Sequence, residues 1–593
     1  MKLASQEVFG PGFRVVAIPG FGLILYEPAI GTSAIVRTRL IGQHSCGSSK
    51  CETRDASSRL AHNVLHPVQQ LMSTRVKEWK AMLPSRPTST RAPRMRWEPK
   101  RTKRCVSVIA ISATLGCLVL SAQQNPPSHG RDVTKLYTQY CASCHGVNME
   151  GGSASSLVHG KWRHGGDDAS IAASIRDGQT AEGMPGMGKA LNGPEIRGLV
   201  IYIRERAEKV KTAQSKYNAP IPGVVVASET ASFKLEPVLE AGLQEPWALA
   251  FLPHDRILVT ERPGRLRIIE RGKLLPYPVR GIPAVYGGEG GLLDVVVHPD
   301  YAHPGSDWIY LSYGDKSPGG LGMAAVIRGR LQDGAFVDQQ QIFKADDSLY
   351  RPGGQRFGSR LLFDAKGHLF FSLGDRAAPG DEQDLTQPNG KVHRVNDDGS
   401  IPKDNPFVHQ AGAIPSIWTF GHRNPQGLAI SPVSGDLWEA EHGPRGGDEL
   451  NILRAGHNYG WPVITYGMNY DGTPITDHLT HDGMEQPVTC FVPSIAASPI
   501  MFYTGNRFPQ WKNNLLLGSL QTQQLLRLVV DGKKVTHQEI LFRRIGRVRD
   551  LEMGPEGDIY VVLNAPDRIE RIVPGDLEGR SAMTPAELEK HVR

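Results

Sequence analysis

The sequence predicts a multidomain chain, in which a small all-α segment precedes an all-β six-bladed propeller. Three observations predict it. A Cys-x-x-Cys-His run (Cys141-Ala142-Ser143-Cys144-His145) ends one short amphipathic segment, and another amphipathic segment follows it. From about residue 233, helical periodicity nearly vanishes and short apolar-aromatic runs alternate with Gly, Pro, Asp and Asn turns. Within that stretch a turn-plus-strand unit recurs six times.

At 593 residues the chain exceeds what one core holds. Its net charge of +7 is uneven. Residues 1–104 hold 18 Lys and Arg against 6 Asp and Glu, whereas the remainder holds 49 against 54. The basic surplus therefore belongs to the leader, and a nucleic-acid-binding function loses its main support. Residues 1–94 show no convincing periodicity and read as a non-structural leader or a mis-called start. Residues 95–122 read as a secretory signal peptide. Met95 is a start, Lys100-Arg101-Thr102-Lys103-Arg104 a positive run, 105–120 an uncharged apolar run, and Leu120-Ser121-Ala122 a cleavage site. An uncleaved membrane anchor is the alternative, although the run is slightly short for a span. The expected location is periplasmic or secreted.

Of seven cysteines, Cys46, Cys51, Cys105 and Cys117 lie in the leader. Once Cys141 and Cys144 are assigned to the motif, only Cys490 remains, so no disulfide framework is expected; Cys490 reads as a small buried apolar residue.

The all-α segment spans 128–211. Cys-x-x-Cys-His is the attachment pattern of a c-type haem, in which Cys141 and Cys144 bond the vinyl groups and His145 reaches the iron. A zinc half-site lacks its second Cys pair, and no strand leads in as a thioredoxin-like motif requires. Val133, Leu136 and Tyr137 place a helix before the motif, and Pro194-Glu195-Ile196 opens a second helix through Ile203. Between them lies Gly183-Met184-Pro185-Gly186-Met187. A thioether is a soft sixth ligand to haem iron. A Met in a Pro/Gly loop ahead of a last helix resembles class I cytochrome c, whose ligand Met commonly precedes Pro. The resemblance favours Met184, with Met187 its rival and Met149 too close to the motif; a Met that only packs is the bland alternative.

A polar linker over 212–232 leads to the propeller over 233–575, and 576–593 is a tail. The six units begin at Asp255, Asp307, Gly367, Gly435, Asn513 and Gly557, and most are followed by another strand (265–269, 392–395, 525–530). Six copies at this spacing suit six four-stranded blades; a sandwich or barrel would not give them.

Specific motifs go further. They are Gly242-Leu243-Gln244-Glu245-Pro246-Trp247, Val259-Thr260-Glu261-Arg262-Pro263-Gly264, Gly290-Gly291-Leu292-Leu293-Asp294 and Gly421-His422-Arg423-Asn424-Pro425. The longest is Glu441-His442-Gly443-Pro444-Arg445-Gly446-Gly447-Asp448-Glu449 with Asn458-Tyr459-Gly460-Trp461-Pro462. Together they resemble the soluble PQQ-dependent sugar dehydrogenases (the glucose/sorbosone and aldose sugar dehydrogenase family) over essentially all of 240–573.

The resemblance implies a site for PQQ, an ortho-quinone with three carboxylates that planar guanidinium groups suit. Arg423, Asn424, Tyr470, Arg547 and Arg549 stand at the positions that contact it, and Arg547 and Arg549 alternate so as to face one side. Gly443 and Pro444 correspond to carbonyl donors for a calcium ion beside the quinone; Glu449 and the Tyr459 carbonyl correspond to ligands of a second, structural calcium. Three positions depart from the family. Arg356 occupies the place of the histidine general base, and arginine cannot accept a proton; its partner Asp375 is kept. Glu289 replaces a Gln, and Gln521 a Lys that contacts PQQ. On one reading, Glu289 is the proton acceptor and Arg356 orients it. On the other, Arg356 merely neutralises Glu289 and Asp375 in a propeller that has lost the reaction.

The implied function is an exported quinohaemoprotein that oxidises an aldose hydroxyl by hydride transfer to calcium-bound PQQ. Electrons would leave through the fused haem to a soluble cytochrome or membrane oxidase. The alternative is a non-catalytic propeller that binds a glycan or a partner and is carried on an electron-transfer cytochrome.

Overall fold

The computed structural model describes residues 129–214 and 222–575, with three short strands near the start of the chain. Those strands, β1 (Glu7–Phe9), β2 (Phe13–Ile18) and β3 (Gly22–Tyr26), form an antiparallel sheet of their own, where the sequence suggested no regular structure. The signal segment 95–122, the tail 576–593 and the four leader cysteines lie outside the described residues. Among the described residues, no helix is long and apolar enough to cross a membrane.

The first helices form where the motif reading put them. Helix α1 (Val133–Tyr140) is capped by Asp132, whose carboxylate accepts from the Thr134 N–H at 2.9 Å. It buries Val133, Leu136 and Tyr137. The single turn α2 (Ala142–His145) carries the Cys-x-x-Cys-His run. Helix α3 (Asp168–Asp177), capped by Asp167, was not anticipated. It buries only Ile171 and Ile175 amid Ala and Ser, too thin a stripe for periodicity to register. Helix α4 (Gly193–Gln214) opens with a capping box: Asn192 and Glu195 exchange backbone-to-side-chain hydrogen bonds at 2.9 and 3.1 Å. Arg131 pairs with Glu195 at 2.8 Å and holds its carboxyl down at about 2.

The propeller has six sheets. Blade one is β6 (Pro246–Leu252), β7 (Arg256–Glu261), β8 (Arg265–Glu270) and β9 (Lys273–Leu274). Blade two is β10 (Leu292–Val297), β11 (Ile309–Lys316), β12 (Gly322–Gln332) and β13 (Ala335–Phe343). Blade three is β14 (Gly358–Phe363), β15 (His368–Leu373), β16 (Lys391–Asn396) and β17 (Ile417–Phe420). Blade four is β18 (Pro425–Ile430), β19 (Leu437–Glu441), β20 (Asp448–Leu453) and β21 (Thr489–Phe491). Blade five is β22 (Ala497–Phe502), β23 (Leu515–Ser519), β24 (Gln524–Asp531) and β25 (Lys534–Arg543). Blade six joins β26 (Arg547–Met553), β27 (Ile559–Asn564) and β28 (Arg568–Pro574) to β5 (Ser232–Leu239) and β4 (Val226–Ala227).

All six repeats read from the sequence are second strands, β7, β11, β15, β19, β23 and β27. Strand β5 pairs antiparallel with β28 and latches the ring. The linker expected over 212–232 is accordingly shorter: α4 runs into its start and β4 occupies its end, because the last blade needs strands from both ends of the domain. Cys490, in β21, is only half-buried.

The inner strands β6, β10, β14, β18, β22 and β26 pack side by side around the axis. Each has a register shift near its first residues. Such bulges increase local twist and re-aim side chains. They lie at the end of the propeller where the functional side chains converge.

Below that end, one buried arginine crosses the axis. The Arg360 guanidinium meets Asp550 at 2.7 Å and Asp294 at 3.4 Å. It donates to the carbonyls of Gln426 and Arg549, and stacks on Trp247 at 4.4 Å. Blade three is thereby pinned to blades one, two, four and six.

Candidate active site

The starts of the inner strands enclose a polar cavity of about 440 Å³. Its floor and walls include Trp247, Glu289, Asn424, His442, Arg547 and Arg549, with Gln521 at the rim. Arg547 and Arg549 alternate on β26 and both reach it, as their spacing predicts. Arg262, quoted within a motif but given no role from sequence, is a third guanidinium, paired with Glu245 at 2.7 Å. Among the described residues, neither Arg547 nor Arg549 has a carboxylate partner; Arg549 donates only to Asn564 Oδ1. Burial, then the neighbouring guanidiniums Arg547 and Arg262, push Arg549 down to about 9. Burial and Arg262 lower Arg547 as well. The cavity is therefore a concentrated positive site that favours an anion.

Arg423 is buried behind Asn424 rather than on the cavity wall. It donates to the carbonyls of His442 (2.8 Å) and Gly443 (2.9 Å) and to the Tyr470 hydroxyl (3.2 Å), leaving its Nε without a partner. Asn424 Oδ1 accepts from the Gly358 N–H at 3.1 Å, and its amide donates to His442 Nδ1 at 3.3 Å. Sequence reasoning also gave no role to His442. Burial first, then Arg423, Arg549 and Arg547, depress its imidazole to about 3, so it is neutral.

The departures from the family pattern form two separate contacts. Glu289 lines the cavity, and its Oε2 accepts from the backbone N–H of Arg356 at 2.7 Å. The Arg356 guanidinium turns instead to Asp375, at 2.9 Å. Asp375 is also held by Trp461 Nε1 at 2.9 Å and by the Ala377 N–H. Orientation of Glu289 by the Arg356 side chain, expected from charge alone, thus gives way to orientation by its main chain. A positive φ of 56° at Arg356 accompanies this arrangement. Non-glycine residues in that region carry strain and cluster at functional sites.

Gly443 and Pro444 follow His442 in a turn anchored by Asp448, which accepts from the Gly443 N–H at 2.9 Å. Glu449 lies across the β19–β20 ladder from Glu441. With Glu439, Asn451 and His422 these residues form a buried acidic cluster between blades three and four. Ligand atoms of His422, Glu439 and Glu441 fall within 4.8 Å of one another. Glu439 Oε1 and Asn451 Oδ1 have no hydrogen-bond partner. Burial and mutual repulsion raise Glu439 and Glu449 well above the usual carboxylate range. Tyr459 stacks on His422 at 4.8 Å. Buried carboxylates left unbalanced are a poor structural solution and a good oxygen cage for a divalent cation. Sequence reasoning gave no role to Glu439, which precedes the quoted motif, or to Glu441, which opens it.

The haem motif faces a second cavity, of about 650 Å³, lined by Cys141, Cys144, His145, Met184, Met187 and the apolar Leu199 and Ile203 of α4. Both sulfurs are free thiols. His145 Nδ1 lies 2.8 Å from the Ser155 carbonyl. That bond fixes the Nδ1–H tautomer and leaves the Nε2 lone pair for a metal. The pocket suits an apolar macrocycle with a nitrogen and a sulfur ligand. Both Met184 and Met187 reach it, while Met149 is fully buried in the segment's core.

The face of α4 away from this pocket packs on the propeller. Met468 inserts into the helical core, Arg197 donates to the Thr476 carbonyl at 2.7 Å, and Glu205 pairs with Arg445 at 2.6 Å. One helix thickness, about 10–12 Å, therefore separates the thiol-bearing pocket from the propeller surface.

Comparison with known proteins agrees with this geometry. A family model described as glucose / sorbosone dehydrogenase matches residues 243–571, and one described as cytochrome C oxidase, cbb3-type, subunit III matches residues 129–203. Aldose sugar dehydrogenase YliI of Escherichia coli is 45% identical over 332 residues, covering 55% of this chain and 88% of its own. The cbb3-type oxidase subunit CcoP of Azospirillum brasilense is 36% identical over 75 residues, 12% of this chain and 25% of that subunit. The crystal structure of the soluble aldose sugar dehydrogenase of Escherichia coli in its apo form superposes with a TM-score of 0.54 at 40% identity, covering 58% of this chain and all of that one. The chain belongs to the glucose/sorbosone dehydrogenase family, with a cytochrome c segment of the cbb3 subunit III type fused ahead of its propeller.

Proposed function

We propose that the protein is an exported quinohaemoprotein that oxidises an aldose at a ring hydroxyl, with PQQ and calcium in the propeller and haem c in the helical segment. The observation that carries this reading is the pair of guanidiniums, Arg547 and Arg549, that have no carboxylate partner among the described residues, in a cavity whose lining has a single carboxylate, Glu289. A triply acidic quinone matches that donor set, and Asn424 and Gln521 add amide contacts. The chemistry PQQ supplies when bound is acceptance of a hydride from the sugar carbon. Glu289 takes the hydroxyl proton at its free oxygen, Oε1, while the Arg356 N–H holds Oε2. Arg356 and Asp375 are positioning residues that fix this loop against Trp461. The carbonyls of Gly443 and Pro444 would hold calcium beside the quinone. Glu449, the Tyr459 carbonyl and the newly recognised Glu439 and Glu441 would hold a second ion.

In the helical segment, Cys141 and Cys144 would tether the haem, and His145 Nε2 and Met184 would hold its iron. Bound there, the haem would supply one-electron transfer to a soluble cytochrome or membrane oxidase. The glycan-binding alternative draws on the closed Arg356–Asp375–Trp461 network, which leaves no histidine base at that corner. Adding PQQ and calcium to the purified protein separates the two. Aldose-dependent reduction of the haem absorption band is the expected result; failure to take up PQQ rejects the oxidoreductase reading.

A further inference from the structure

Between α4 and the propeller mouth lies a cleft of about 810 Å³. One wall is the haem segment itself, through Glu205, Glu208 and Lys209. The other is propeller, through Tyr470 and the 521–524 turn. Gln521 and Gln523 line both this cleft and the inner cavity, so the two lie side by side.

We infer that the haem segment is part of the saccharide site: the cleft holds the portion of a sugar beyond the ring being oxidised, and Lys209 of α4 is a specificity-determining contact. This rests on the sugar-oxidising reading above and adds Lys209 and Gln523, which that reading does not use.

Three observations support it. First, the helical wall is set firmly. Glu205 pairs with Arg445 in a largely buried bridge, Glu208 with Arg543 at 3.7 Å, and Arg544 reaches the Thr212 carbonyl. These contacts span two turns of α4, so its cleft-facing groups keep a defined position. Second, the polar groups at the cleft are unspent. Among the described residues, the Lys209 ammonium has no ion pair, and the side-chain amides of Gln521 and Gln523 make no hydrogen bond. A polyhydroxyl ligand needs such donors and acceptors, arranged on opposite walls. Third, Gln523, at the junction with the inner cavity, has a positive φ of 53°. A side chain held in the left-handed region at a strategic turn is strain of the kind that functional sites retain. The division of labour follows. The guanidinium-lined inner cavity suits an anion; in the outer cleft Arg445 and Arg543 are taken up by the two carboxylates and Arg544 by a main-chain carbonyl, so Lys209 and the amides are what remains to meet the hydroxyls of a sugar.

The test uses the full-length protein loaded with PQQ and calcium, with a dye as electron acceptor. Lys209→Ala, at an exposed position, should raise KM for maltose about fivefold, the share of one hydrogen bond from a charged group at an exposed wall. It should leave kcat unchanged and the constants for glucose within about twofold. A second readout needs no turnover: calorimetric titration of methyl β-maltoside, whose anomeric oxygen is blocked. Its affinity should fall by the same factor in Lys209→Ala. Equal affinity of both proteins for the maltoside, no binding by either, or an equal KM shift for glucose and maltose overturns the inference. If the loaded wild type oxidises neither sugar, the oxidoreductase reading fails, and the calorimetry still decides this one.

Discussion

Replacing Arg360 by Met is the sharpest test of how the ring is held. The guanidinium is buried and serves two buried carboxylates, Asp550 at 2.7 Å and Asp294 at 3.4 Å. Removing one member of a buried ion pair costs about 3–5 kcal/mol, because the charge left behind has neither water nor partner. The carbonyls of Gln426 and Arg549 lose their donors too, at about 1 kcal/mol each. Protonation caps the total. Burial already lifts Asp294 to about 7, with Arg360 working against that rise. Without Arg360 both carboxyls climb further and take up protons in the folded state. A loss of about 4 kcal/mol follows at neutral pH. Because the folded variant then binds more protons than the unfolded chain, the loss grows as pH rises and shrinks toward pH 5. The assay is urea unfolding of the propeller transition at pH 5.5 and 8, read by tryptophan fluorescence. The triple change Arg360→Met, Asp294→Asn, Asp550→Asn should recover most of the loss. A cost under about 1 kcal/mol, or one that grows toward acid, would refute the pinning argument.

Glu289→Gln keeps an acceptor for the Arg356 N–H but cannot take a proton; kcat should fall about 10²–10⁴-fold with KM little changed, and intact turnover in the PQQ-loaded protein removes Glu289 as the base. Met184→Ala should lower the haem reduction potential and abolish the iron–sulfur charge-transfer band, whereas Met187→Ala should leave both; the reverse pattern reassigns the ligand. Calcium at about a hundredfold its Kd should stabilise the wild type by about 2.7 kcal/mol, and Glu439→Gln with Glu449→Gln should lose that gain in a thermal melt. Burial holds His393 neutral, at about 3, between Ser416 and the Pro388 carbonyl. Its contribution is fully present above the unfolded value near 6.5 and is lost as pH falls toward 3, at about 1.4 kcal/mol per pH unit. His393→Gln should flatten that part of the profile of unfolding free energy against pH; an unchanged slope contradicts the assignment.

What the sequence disclosed follows from range. A turn and the strand after it are local, so all six second strands were legible, as were α1 from its apolar stripe and α4 from its Pro-Glu opening and apolar stripe. Helix α3 was not, since Ile171 and Ile175 alone mark its buried side. Arg547 and Arg549 could be placed together because two residues on one strand share a face. Arg360 had no role from sequence, because its partners lie 66 and 190 residues away and only ring closure brings them together. The split between the Arg356 main chain and side chain was likewise invisible, since charge pattern says nothing about which atoms of a residue face a neighbour.

The strand that latches the ring is also the strand to which the cytochrome is tethered. Because α4 ends at Gln214 ahead of β5 at Ser232, and its partner β28 is the last strand of the domain, the cytochrome precedes nearly the whole propeller in order of synthesis. The circle cannot shut until the final strand arrives. The haem attachment proposed at Cys141 and Cys144 would thus have an interval in which the thiols are accessible on a nascent chain whose inner cavity does not yet exist.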